Sequence, residues 1–150
     1  MAQLPGTEGD KIRKLWWDFH TPGGITGKDA LDAFEVAWDL LPASNRESWD
    51  ESYLIAEAII ELSIELGTLE RGKRWLDSAM VADPGRNDAG GRELLVGKWF
   101  FANGELDKAK ELFSIANAKS RGRIFAGADP RYRALVAETN PQTQKKKRGK

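Results

Sequence analysis

The chain has 150 residues, 41% of them hydrophobic and 31% charged, and no cysteine. That length buries a core without covalent help, and the missing thiols exclude a disulfide framework, a thiolate metal site and a cysteine nucleophile. Lys+Arg and Asp+Glu balance at 23 each, yet residues 1–75 hold 8 basic against 14 acidic side chains and residues 76–150 hold 15 against 9, an asymmetry that bears on partners rather than on fold.

The opening Met-Ala-Gln-Leu-Pro-Gly has neither a basic start nor an apolar stretch, so no secretory signal is expected. No apolar run approaches the roughly 18 residues of a membrane span, and the expected location is the cytoplasm. The first helix is predicted over 8–20, where Ile12, Leu15, Trp16 and Phe19 share one face. Thr21-Pro22-Gly23-Gly24 breaks it. A second helix over 28–41 carries Ala30, Leu31, Phe34, Ala37, Trp38 and Leu41 and stops at Pro42. Ser44 or Ser48 is placed to cap a long third helix that reaches Leu66, with Gly67 as its stop. A fourth helix runs from about Glu70 to Val81 and ends at Asp83-Pro84.

The glycine-rich stretch 85–91 reads as a loop. The fifth helix covers about 92–102 and is stopped by Asn103-Gly104, and the sixth covers 105–119. Asp129-Pro130 supplies an N-cap and a first-turn proline for a short last helix to about Glu138. The reading is all-α, one domain over 1–140 with a disordered basic tail over 141–150.

Helices paired in this way call for a repeat search. Ala30, Phe34, Ala37 and Pro42 share their spacing with Gly72, Leu76, Ala79 and Pro84. The same spacing returns at Ala109, Phe113, Ala116 and Arg121, where only the last place fails. Gly67-Thr-Leu69 echoes Gly104-Glu-Leu106 at the turn, and Gly97 and Phe100 occupy the small and aromatic places of a first helix. Small residues let two helices approach, and the large residue between them fills the gap. Over roughly 10–121 the pattern resembles the tetratricopeptide repeat. The resemblance implies about three helix-turn-helix repeats stacked as a short right-handed solenoid, a C-terminal capping helix, and a function in binding protein. Gly72 and Ala56 depart from the usual residues of that family, and the Pro42-to-Pro84 interval exceeds its period.

Residues 47–70 hold seven acids and no Lys or Arg. Within them Glu57, Glu61 and Glu65 recur every four residues and line one helix face. Nearly every other position from Tyr53 to Leu66 is apolar or small, so this helix is expected to be buried except along one acidic stripe. Like charges four apart oppose the helix that carries them, which suggests another use for them. The resemblance places the stripe in a concave groove. Asp50 joins this candidate site. Of the six tryptophans, Trp17, Trp49 and Trp99 are the candidates for binding anchors beside acids, and Lys98, next to Trp99, completes the set.

His20, the only histidine, reads as a helix-end residue on the dipole. No nucleophile, zinc set or phosphate loop accompanies it, so no enzyme, cofactor or metal is expected. The basic segments 121–133 and 145–150 lack a stacking platform, and nucleic acid is not expected as a partner. Gly122 to Tyr132, through Phe125, Gly127, Asp129 and Pro130, resembles the C-terminal signature of small bacterial immunity proteins. That resemblance implies a secreted toxin as the partner, and an acidic groove implies a basic one. No small-molecule substrate and no membrane are expected. The alternative is an adaptor or chaperone that reads a basic or short linear peptide.

Overall fold

The computed structural model describes residues 2–84 and 89–138, and its chain divides into two compact units, 1–87 and 88–150. Among the described residues the secondary structure is all helical. No helix there is long and apolar enough to cross a membrane. The tail over 141–150 lies outside the described residues.

The first unit contains α1 (Gly6–Phe19), α2 (Gly27–Trp38), α3 (Asp50–Glu65), α4 (Leu69–Lys73) and α5 (Leu76–Val81). Helix α3 packs against each of the other four. Its composition explains why. Tyr53, Ile55, Ala56, Ile59, Ile60 and Leu62 are all essentially inaccessible to solvent, so this helix is apolar on most of its circumference. Two buried serines would cost stability if left unpaired. Ser52 Oγ instead donates to the Trp49 carbonyl at 2.6 Å and Ser63 Oγ to that of Ile60 at 2.8 Å. The helix stops as expected at Gly67, whose φ is +71°. There the Thr68 N–H reaches the Ser63 carbonyl and the Gly67 N–H that of Ile64, the paired bonds of a Schellman end.

Two local expectations are corrected. Neither Ser44 nor Ser48 caps α3: a single 3-10 turn over Arg46–Ser48 intervenes, and extended Trp49 precedes the first helical residue. Glu47, Asp50 and Glu51 put negative charge at that end instead, where it complements the helix dipole. The helix expected over 70–81 is broken into α4 and α5 at Arg74–Trp75. The Trp75 N–H bonds three residues back to Gly72, tighter than an α-helix. The indole is buried and meets Trp38 edge to face at 4.8 Å. Gly72 is a weak helix residue, and packing of the large ring on α2 outweighs helical continuity.

The second unit contains α6 (Gly91–Ala102), α7 (Leu106–Ser120) and α8 (Pro130–Glu138), with a 3-10 turn over Arg123–Phe125. Its core gathers Leu94, Ala109, Phe113, Ala116, Phe125 and Leu135, with Tyr132 and Phe101 packed against it. Helices α6 and α7 approach closely at Gly97, where an added Cβ would sit 2.6 Å from the Phe113 ring. Asp129 caps α8 as expected, accepting the Arg131 N–H at 2.9 Å. The nine positions matched by spacing, Ala30, Phe34, Ala37, Gly72, Leu76, Ala79, Ala109, Phe113 and Ala116, are all buried.

Candidate functional site

The open side of α3 is acidic. Glu57 is half-buried, and Glu61 and Glu65 are exposed, whereas the residues between them are mostly buried. The three carboxylates do not stand on a flat surface. With Ala58 they line a depression of about 330 Å3 whose opposite wall is Phe19 and His20, at the end of α1. Phe19 is held by an edge-on contact to Phe34 at 5.4 Å. The His20 ring lies 4.0 Å from that of Trp16, and its Nδ1 pairs with the Trp16 carbonyl at 2.8 Å. That carbonyl belongs to the last turn of α1, so His20 does satisfy a helix-end group while also forming a wall of the depression.

The placement of α1 depends on a different acid. Glu51, 1% exposed, accepts the Leu4 N–H on both carboxylate oxygens at 3.0 and 3.1 Å and the Arg13 guanidinium at 2.5 Å. Arg13 also donates to the Leu4 carbonyl at 3.0 Å and pairs with Asp10. Asp10 and then Glu51 hold the guanidinium more firmly charged than usual, against the opposing effect of burial. A buried carboxylate survives only with such partners. Glu51 therefore ties the N-terminal segment and α1 to the first turn of α3. A second clasp joins Arg71 of α4 to Asp32, at 2.6 Å, and to Glu35, both on α2. Arg71, then Lys28, pulls the Asp32 carboxyl below its ordinary range.

The candidate residues separate into groups. Glu57, Glu61 and Glu65 come together. Asp50 and Trp49 lie at the opposite end of α3 and do not line the depression; eleven residues of helix from Asp50 to Glu61 amount to about 16 Å. Asp50 is half-buried with Oδ1 unpaired, and Trp49 donates its indole N–H to Asn45 at 3.2 Å. Trp17 is 68% exposed on α1, one position from the inward-leaning Trp16, as adjacent helical residues about 100° apart require. Trp99 is corrected: at 1% exposure it is part of the interior and offers no surface to a partner. Its helix α6 is buried over Arg92–Gly97 as well, and an indole of that size follows the buried face. Lys98 is half-buried in the second unit. The sequence did not single out Phe19 as a site residue, and gave His20 only its helix-end role; both enter through the packing of α1 on α3, which no spacing records.

Among the described residues no group of His, Asp and Glu side chains is arranged to hold a metal ion. Compared with known proteins, the chain matches no family model, no curated sequence and no solved structure.

Proposed function

We propose that this chain is a protein-binding module whose acidic α3 face captures a basic protein. One observation carries the reading. In a helix buried on most of its circumference the exposed residues are Glu61 and Glu65, and with half-buried Glu57 they line a depression that has Phe19 and His20 on its far wall. Solvated faces usually mix charges, and this one carries a single sign. Acidic complementarity accelerates encounter with a basic surface, and an aromatic wall gives a cationic side chain something to rest on. Exposed Trp17, on the same helix as Phe19, adds a large apolar side chain of the type that dominates interface energetics.

The tetratricopeptide-like residue spacing and the C-terminal resemblance narrow the partner class. The specific form proposed is a bacterial immunity protein that binds and blocks a basic secreted toxin and performs no catalysis itself. The burial of all nine spacing-matched positions supports that ancestry. The test is co-expression of the chain with the C-terminal domain of the protein encoded next to it. Growth rescue by the native chain, weakened by Glu61→Lys with folding intact, is the expected outcome. If the native chain gives no rescue, the immunity reading is wrong. Binding of several unrelated basic peptides at comparable strength would identify an adaptor instead.

A further inference from the structure

A second concavity in the first unit has the opposite chemistry. It measures about 580 Å3 and is lined by Trp38, Arg46, Glu47, Arg74, Trp75 and Ser78 among others. We infer that this cleft binds a phosphate group, through Arg46, Arg74 and the Trp75 indole N–H. The inference is independent of the acidic face, with which the cleft shares no residue.

Three observations carry it. First, donors are left over. Trp75 is 4% exposed, lines the cleft, and has an indole N–H with no partner. The buried Nε–H of Arg46 has none either. Buried donors are paired in nearly all native structures, and an exception calls for an explanation. Second, one arginine is unpaired and the other only loosely paired. Arg74 lies over the Trp75 ring at 5.0 Å and has no ion-pair partner among the described residues. Arg46 has only a long contact to Asp39 at 3.6 Å. Third, the one acid of the wall pairs with neither arginine: the Glu47 carboxylate accepts the Ser78 hydroxyl at 3.3 Å.

Two guanidiniums and an indole N–H supply more donors than a carboxylate needs and suit the three oxygens of a phosphate. Trp38 and Trp75 give the cleft an aromatic wall for whatever carries the phosphate. The source is either free phosphate or a phosphate monoester on an aromatic carrier.

The experiment is an NMR titration of the full chain with inorganic phosphate, AMP and acetate at constant ionic strength, following the six indole N–H signals. Phosphate is expected to saturate with the largest shift at Trp75. AMP binding more tightly than phosphate identifies an aromatic phosphomonoester, and equal binding identifies free phosphate. Arg74→Gln, at an exposed position, should weaken phosphate binding by about tenfold, the loss of one charge-assisted pair. Trp75→Phe should weaken it less, and Arg133→Gln, in the other unit, should leave it unchanged. No saturable shift, acetate binding as tightly as phosphate, or an Arg74→Gln chain that binds like the native one would each overturn the inference.

Discussion

The two units solve the same problem with different materials. Residues 1–87 carry 9 Lys+Arg against 16 Asp+Glu, and residues 88–150 carry 14 against 7. The second unit is held mainly by rings: Phe113 lies at the centre of contacts to Phe101, Phe125 and Tyr132 with ring centroids 4.9 to 6.3 Å away. The first is held by an apolar central helix and by buried or half-buried ion pairs at Glu51–Arg13 and Arg71–Asp32–Glu35. Two sets among the acids of the first unit differ in their surroundings. Glu51, Asp32 and Glu35 are spent internally on architecture. Glu57, Glu61 and Glu65 line an opening.

The difference is breakable in order of effect. Phe113→Ala should be the most damaging single change, destabilising the chain by about 3–5 kcal/mol, the range for emptying an aromatic core position. Equilibrium denaturant unfolding measures it. Gly97→Ala should also destabilise, because its methyl meets the same ring; if it proved neutral, the close approach of α6 and α7 would be disproved. Glu51→Gln keeps the shape but removes the charge opposite Arg13, and should cost roughly 2–3 kcal/mol. A loss no greater than that of an exposed glutamate would show that the clamp is not structural.

The partition of these acids was only half legible in the sequence. Residue spacing was enough for the helical class, the Gly67 stop, the Asp129 cap and the stripe, because each depends on neighbours within a turn or two. Glu51 and Glu57 look alike in the sequence, one residue type six positions apart in the same acidic run. Their fates diverge because Leu4 and Arg13, some 40 residues away in sequence, arrive at one and not at the other. Trp99 and Trp17 were likewise equivalent as candidates until packing buried the first and exposed the second. The break at Arg74–Trp75 was hidden for the same reason: local propensity favoured a helix, and a ring on α2 decided otherwise.

Smaller effects sharpen the same contrast. Arg71 depresses the Asp32 carboxyl in the folded chain. A depressed carboxyl contributes stability at pH values above its ordinary range and loses that contribution as pH falls through its folded value. Arg71→Met should therefore reduce stability at neutral pH and flatten its decline in acid; an unchanged acid profile would show that the clasp does not stabilise the fold. Glu61→Lys should be smallest of all in stability, within about half a kcal/mol of the native chain.

Binding is where that last substitution should count. The direct measurement is the association rate of the protein with the neighbour-encoded domain of the co-expression test at low and high salt, for the native chain and for Glu61→Lys/Glu65→Lys. The native rate should be high at low salt and fall steeply as salt rises, and the double variant should associate slowly with little salt dependence. Equal rates and equal salt slopes for the two chains would contradict the acidic face as the binding surface.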